Sequence, residues 1–120
     1  EEGDPRLTRG LLEMLILKEA GPLRESKGLA HLLRELQIIR NERLPKLFSP
    51  DSSGVENALQ VMGMVDVAEF LARASLHRAE SRGAHFRSDY PNQDDDNWLK
   101  NVIIAKEGDR LRITERDVVQ

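Results

Sequence analysis

Residues 26–42 read Ser26-Lys27-Gly28-Leu29-Ala30-His31-Leu32-Leu33-Arg34-Glu35-Leu36-Gln37-Ile38-Ile39-Arg40-Asn41-Glu42. Leu29, Leu32, Leu33, Leu36 and Ile39 recur at i, i+3, i+4 and i+7, with Arg34, Glu35, Arg40 and Glu42 on the other side, so the stretch predicts an amphipathic helix. Ser26 stands as its N-cap, and the helix is expected to end near Leu44-Pro45. A helix with one apolar stripe must bury it against something, and the flanking sequence supplies two partners.

Upstream, Asp4-Pro5 has the form of a helix start, a capping carboxylate followed by proline where the missing N–H costs nothing. Leu7, Leu11, Leu12, Leu15 and Ile16 follow at helical spacing. Ala20-Gly21-Pro22 ends the pattern, with Gly21 expected as a left-handed cap. Downstream, Lys46 to Ser53 holds Pro50, Asp51 and three serines and reads as a loop that reverses the chain. Ser53-Gly54-Val55-Glu56 matches a capping box and opens a third helix, whose apolar series is Leu59, Met62, Val65, Phe70, Leu71, Ala74 and Leu76. No proline interrupts it before Arg82, and Gly83 offers a left-handed C-terminal cap, giving a helix about 42 Å long. Ala68, Ala72, Ala74 and Ala79 allow close approach and suggest two buried faces for its second half.

The expected fold is therefore all-α: an up-and-down, spectrin-repeat-like three-helix bundle over residues 1–83, left-handed with near-antiparallel crossings. Ala84 to Trp98 show no period and carry Pro91, Asn92 and Asp94-Asp95-Asp96, so residues 84–100 are expected to be a docking loop. Val102-Ile103-Ile104 and Leu111-Arg112-Ile113 flank Glu107-Gly108-Asp109, which predicts a small β-hairpin tail over 101–120.

Composition limits the chemistry. The 120 residues hold 18 Lys+Arg against 21 Asp+Glu, a formal net charge of -3, so no general basic field exists to grip a phosphate backbone, and nucleic acid is not an expected partner. Aromatic residues make up only 4 %, which leaves Leu, Ile, Val, Met and Ala to build the core. Zero cysteines remove disulfides, thiol nucleophiles and thiolate metal ligands. No apolar run reaches the roughly 20 residues of a membrane span, so direct membrane insertion is not expected. The chain opens on Glu1-Glu2-Gly3-Asp4 without a methionine and is expected to be a fragment of something longer.

No catalytic, cofactor-binding or metal site emerges. None of the eight glycines lies two residues from another, so the G-x-G-x-x-G turn of dinucleotide sites cannot form. His31 reads as a surface or boundary histidine. His77 and Glu80 are three apart, but the di-metal signature of helical bundles runs Glu then His and needs further carboxylates. Ser81 near His85 lacks a third orienting group for nucleophilic catalysis. Asp94-Asp95-Asp96-Asn97 lacks the central glycine of a calcium loop and reads as a solvated or helix-capping charge run.

The informative stretch is Glu80-Ser81-Arg82-Gly83-Ala84-His85-Phe86-Arg87-Ser88-Asp89-Tyr90-Pro91, followed by Asp94-Asp95-Asp96-Asn97-Trp98-Leu99. Two guanidiniums, an imidazole and a carboxylate on one short segment can pin an irregular loop through bidentate Arg–Asp pairing and backbone carbonyls. They could staple the loop to this bundle or dock it on a second domain. On these two motifs the chain resembles the C-terminal domain of the flavoprotein subunits of succinate dehydrogenase and fumarate reductase. L-aspartate oxidase has a similar ending, but it usually carries a larger residue where Ala84 stands and lacks Arg87 and the Asp-Asp-Asn-Trp stretch; a free-standing helical adaptor that binds through the Ala-rich third helix is a further alternative.

The resemblance implies a parent enzyme that interconverts succinate and fumarate through FAD and exchanges electrons with an iron–sulfur subunit, with flavin and catalytic residues lying upstream of this segment. It implies an inter-domain docking role for Arg82, Gly83, His85, Arg87 and Asp89 against the flavin domain of the same chain, helices near the iron–sulfur subunit, and a location on the cytoplasmic side, peripheral to the membrane through partner subunits. Under that reading, replacing Arg82 or Arg87 should leave the melting of the isolated bundle almost unchanged, since its core is the leucine stripe.

Overall fold

The structure, a computed structural model, describes residues 4–48 and 54–118. It is mostly helical with a small antiparallel hairpin at its C-terminal end. The elements run α1 (Pro5–Ala20), α2 (Ser26–Ile38), a π turn (Ile39–Arg43), α3 (Leu44–Leu47), α4 (Val55–His77), α5 (Asp95–Trp98), β1 (Lys100–Glu107) and β2 (Arg110–Asp117). Each of α1, α2 and α4 packs against the other two.

The α1 start forms as its sequence predicts: the Asp4 side chain accepts from the Arg6 amide at 2.9 Å, with Pro5 in the first turn. Its end differs from expectation. Gly21 has φ -77° and ψ -152°, so it is not a left-handed cap. What demands glycine there is space, because a Cβ would stand 2.3 Å from the backbone oxygen of Leu17.

The N-cap of α2 is Glu25, which makes no side-chain capping bond, and Ser26 is already the first helical residue. This corrects the expected Ser26 cap, and the group that replaces it comes from a distant loop, as shown below. Nor does the helical path stop at Leu44-Pro45. It widens into the π turn, where the Leu44 amide bonds to the Ile39 carbonyl, and continues as α3 to Leu47. Proline lacks the N–H that an α-helix would need at that position, and the wider turn carries the chain past it.

The α2 stripe is the core's main wall: Leu29, Leu32, Leu36 and Ile39 are all buried. Leu12 and Leu15 of α1 meet it, while Leu7 is exposed. From α4 the core receives Ala58, Val61, Val65, Ala68 and Ala72. Of the apolar series expected there, only Val65 is buried; Leu59 is half exposed, and Met62, Phe70, Leu71, Ala74 and Leu76 are intermediate. The inner face of α4 is the small-residue stripe, which lets α1 and α2 approach its backbone, so the larger apolar side chains fall on its other sides. At α4's start the N-cap position is Gly54; Ser53, the expected capping residue, lies outside the described residues.

Helix α4 ends at His77 and not at Arg82, a length of 23 residues or about 35 Å. The hairpin pairs Lys100 with Asp117 through Glu107 with Arg110, turning at Glu107-Gly108-Asp109-Arg110, and β1 lies against α4. Among the described residues no helix is long and apolar enough to cross a membrane. Gly21→Ala should lower stability by about 1–3 kcal/mol through the clash with Leu17. A urea titration that returns an unchanged midpoint would contradict the close approach.

Candidate functional site: the strap at Arg82–Tyr90

Past His77 the chain folds into two tandem tight turns. Arg82 and His85 exchange backbone bonds, Arg82 N donating to His85 O at 2.8 Å and His85 N to Arg82 O at 3.0 Å. Gly83 has φ +58° at the first central position, and among the described residues no non-glycine has positive φ, so Ala84 does not. These signs are those of a type II′ turn, which requires glycine first. Gly83 thus takes the left-handed geometry expected of it, in a turn beyond the helix instead of at the helix exit. The second turn closes with Tyr90 N donating to Arg87 O at 3.0 Å.

This strap lies against the α1–α2 connection. Arg24 N donates to Phe86 O at 3.1 Å, and Ser88 N donates to Arg24 O at 2.7 Å. Its anchor is Arg87, whose side chain is 1 % exposed. Nε and Nη2 of Arg87 each donate to Asp89 at 2.8 Å, Nη1 to the carbonyls of Ser75 (2.9 Å) and Leu76 (3.0 Å), and Nη2 also to Ser26 Oγ at 2.8 Å. All five guanidinium hydrogens have acceptors. The carbonyls belong to the last turn of α4, which ends without intrahelical partners and carries partial negative charge.

Asp89 takes the complementary place. Its Oδ2 accepts from Ser26 N at 3.0 Å and Ser26 Oγ at 2.5 Å, at the N-terminus of α2, where a carboxylate is favoured. The cap missing from α2's own sequence is therefore supplied from 63 residues away. Hydrogen bonds from Arg87, together with those from Ser26, hold the Asp89 carboxyl well below the usual carboxylate range.

A buried carboxylate, Glu80, sits where the strap meets the segment leading to α5. It is 0 % exposed and accepts from Arg82 Nε at 2.8 Å, from the Asp94 amide at 2.8 Å and from Arg78. Burial alone would push its carboxyl up, but the bonds from Arg82, Asp94 and Arg78 outweigh that and hold it below its ordinary value. Arg78 also donates to the carbonyls of Trp98 (3.0 Å) and Lys100, which ties the start of the hairpin to the end of α4. Its guanidinium lies 5.4 Å from the Trp98 ring. Asp94 accepts from the Asn97 amide at 3.1 Å and caps α5, so part of the acidic run is a helix start.

His85 completes the cluster. Arg24 Nη1 lies 3.0 Å from its Nδ1, and its Nε2 lies 3.1 Å from the Arg78 carbonyl. Arginine only donates and a carbonyl only accepts, so the ring is the neutral Nε2–H tautomer. Burial, with Arg24, Arg87 and Arg78 around it, moves its pKa below the ordinary histidine value despite the opposing bond to the Arg78 carbonyl. Ser81 Oγ donates to the Tyr90 carbonyl at 2.8 Å and accepts from the Arg87 amide at 2.9 Å, so it is a linchpin of the turns and not a nucleophile beside His85.

Of the candidate docking residues, the structure brings Arg87, Asp89 and His85 into one hydrogen-bonded cluster. Arg82 lies beside it on Glu80 and, at 2.6 Å, on Asp95. Gly83 contributes backbone geometry only. Arg24, Ser26, Ser75 and Arg78 are equal members that the motif alone did not single out, and Glu80, which opens the informative stretch, is another although it was not among the candidate docking residues. The two expected histidine outliers are bound elsewhere, His31 to Glu19 and His77 to Glu115.

The arrangement holds backbone in place. Among the described residues the only strands form the antiparallel hairpin, and no helix follows a strand through a glycine-rich turn, so the residues here do not fit a flavin dinucleotide. The profile of the family described as "Fumarate reductase flavoprotein C-term" matches residues 9–120. The chain belongs to this family. The succinate dehydrogenase flavoprotein subunit of Coxiella burnetii is 34 % identical over 110 residues, covering 88 % of this chain and 19 % of the relative. An L-aspartate oxidase from Streptomyces coelicolor is 28 % identical over 109 residues, again 88 % of this chain and 19 % of the relative. The Mycobacterium smegmatis Sdh1 complex superposes with a TM-score of 0.77 at 26 % identity, over 96 % of this chain and 21 % of that one. The chain thus spans about a fifth of the length of the relatives it matches.

The burial of Arg87 reverses the expectation that its removal would leave melting unchanged. Arg87→Ala should destabilise the chain by about 2–4 kcal/mol, because it leaves the last carbonyls of α4 without donors, while Asp89 keeps its bonds from Ser26. Thermal melting in which this variant tracks the unsubstituted chain would refute the anchor. Gly83→Ala should cost about 1 kcal/mol from φ alone, since no atom lies within 4 Å of the added Cβ. An unchanged denaturant midpoint would count against the turn geometry.

Proposed function

We propose that this chain is the C-terminal helical domain of an FAD-dependent flavoprotein subunit that interconverts succinate and fumarate. The observation that carries the reading is the family match over residues 9–120, joined by structural likeness over nearly the whole chain to a succinate dehydrogenase complex. In this reading α1, α2 and α4 form an up-and-down three-helix bundle, residues 84–100 are a docking segment and 101–120 a hairpin tail. The flavin and the reacting carboxylates belong to the remainder of the subunit. This domain packs on the flavin domain, close to an iron–sulfur partner subunit, and sits on the cytoplasmic side of the membrane through partner subunits.

The docking surface is the outer side of the strap. Arg87, Asp89 and His85 fix it from within, whereas Gly83, Ala84, Phe86, Ser88 and Tyr90 are exposed and Arg82 is partly so. A loop of two stacked turns held by the buried Arg87 guanidinium presents these groups rigidly, which lowers the ordering cost of association. Arg82 is the natural probe, since Glu80 keeps Arg78 and the Asp94 amide when Arg82 is lost.

Arg82→Ala in the full-length subunit should reduce flavin retention or assembly, measured as flavin per polypeptide after gel filtration. The 120-residue chain with the same change should melt near its original temperature. A variant subunit with full flavin and normal assembly would overturn the docking role. The identity of the enzyme is tested separately by succinate-dependent dye reduction and by oxygen-dependent oxidation of L-aspartate. Activity on L-aspartate alone would favour the L-aspartate oxidase reading, which the Streptomyces coelicolor relative keeps in play.

A further inference from the structure

We propose that His85 is an acid-sensitive latch: neutral, it locks the Arg82–Tyr90 strap to Arg24 in the α1–α2 connection, and on protonation it lets that side of the strap go. The latch needs no neighbouring domain, because both of its sides belong to this chain.

The hydrogen count at Arg24 leaves little freedom. Its Nε–H faces the carbonyls of Ala20 (3.2 Å) and Gly21 (3.1 Å), and Nη1 faces Ser75 Oγ (3.1 Å) and His85 Nδ1 (3.0 Å). The contact to Nδ1 exists only while that nitrogen keeps its lone pair. A proton there sets two N–H groups and two positive charges against each other. Nε2 cannot relieve the conflict by exchanging roles, since it already donates to the Arg78 carbonyl.

The charged groups that face the ring come from three places: Arg24 before α2, Arg78 at the exit of α4, and Arg87 within the strap itself. All three are cationic. The acids of this region are committed elsewhere, Glu80 to Arg78 and Arg82, and Asp89 to Arg87 and Ser26. No carboxylate among the described residues bonds to either ring nitrogen, so nothing adjacent compensates an imidazolium.

The direction with pH follows. With the latch closed, the histidine binds a proton less readily than a free one, whose pKa is about 6.5. The open form therefore carries more protons just below that value, and the closed form loses stability as pH falls through it. Glu80 and Asp89 hold their charge below the ordinary carboxylate range, so they stay ionised in the same window. Opening should be confined to the Arg24 side. The Arg87–Asp89 pair, its bonds with Ser26 and the Ser81 bonds do not involve the ring, so the strap stays tethered to α4 and to the start of α2 while the bonds at Arg24 open.

Two backbone bonds report on the latch, Arg24 N to Phe86 O and Ser88 N to Arg24 O. Amide hydrogen exchange of the 120-residue chain should show their protection factors falling by up to about 30-fold as pH goes from about 7.5 to about 5, the limit set by a free histidine pKa of about 6.5. Core amides such as Leu36 and Val65 should keep theirs. In His85→Gln a side-chain oxygen can accept from Arg24 and an N–H can donate to Arg78 without titrating, so the two protection factors should become independent of pH. Protection of Arg24 and Ser88 that stays constant in the unsubstituted chain, or that falls equally in His85→Gln, overturns the latch. If the variant does not fold, nitrogen-15 shifts of the unsubstituted chain decide instead: an Nε2–H tautomer at neutral pH with a titration below the ordinary histidine range supports the latch, and an Nδ1–H tautomer or an ordinary titration refutes it.

Discussion

The Arg87–Asp89 pair does something neither helix can do for itself. The C-terminus of α4 presents carbonyls without amides, and the N-terminus of α2 presents amides without a side-chain cap. One guanidinium fills the first need and one carboxylate the second, and the two are bonded to each other at 2.8 Å through both nitrogens. Each charge also faces the helix pole of opposite sign. A guanidinium buried as deeply as that of Arg87 seldom has its desolvation repaid by one ion pair alone. Here the partners divide their remaining hydrogen-bonding capacity between two helix ends, so the pair fixes the relative position of α2 and α4 in a way that apolar packing does not.

That constraint explains why the strap is irregular yet fully bonded. Once Arg87 points inward between α2 and α4, its neighbours must turn sharply to keep Asp89 within reach. The positive φ of Gly83 and the double role of the Ser81 hydroxyl make the two turns possible. Glu80 then extends the same logic to the C-terminal elements. It gathers Arg78, Arg82 and the Asp94 amide, and Arg78 reaches on to the carbonyls of Trp98 and Lys100. An isolated two-stranded hairpin is marginal in water. This one begins at a backbone carbonyl held by the partly buried Arg78 and lies along α4, with Glu115 bonded to His77 and Lys100.

What the sequence made legible follows from the range of each interaction. The α1 start and the α2 stripe rest on contacts within a few residues, and Asp4, Leu29, Leu32, Leu36 and Ile39 take their expected places. The cap of α2 was misread because its carboxylate is Asp89, far away in sequence, and a serine beside a helix start looks the same whether it caps or is capped. Helix α4 has apolar residues on most of its sides, so periodicity could not say which face was inner, and the alanine and valine stripe won because only small side chains admit two neighbouring helices. Its premature end at His77 had no proline or glycine to announce it; the last carbonyls are taken instead by Arg87. The Arg82–Asp89 motif was visible as a motif with Glu80 at its edge, whereas Arg24, Ser75 and Arg78 carry no local signal and became members only through the fold.

The same geometry bears on how such a domain can serve a larger subunit. Polar groups at an interface are costly unless paired, and a loop that must both satisfy itself and offer bonds outward would compromise one for the other. In this chain the division is by depth. Arg87, Glu80 and Ser81 are consumed inside, and the turns they hold leave Phe86 and Tyr90 on the outside, with the Tyr90 ring stacked 5.0 Å from the Arg87 guanidinium. Tyr90 therefore connects the two layers: its ring rests on the buried cation, while its carbonyl and amide close the second turn. A surface built this way is set by the interior charges before any partner arrives, and a substitution at Arg87 would reach that surface by loosening the fold beneath it.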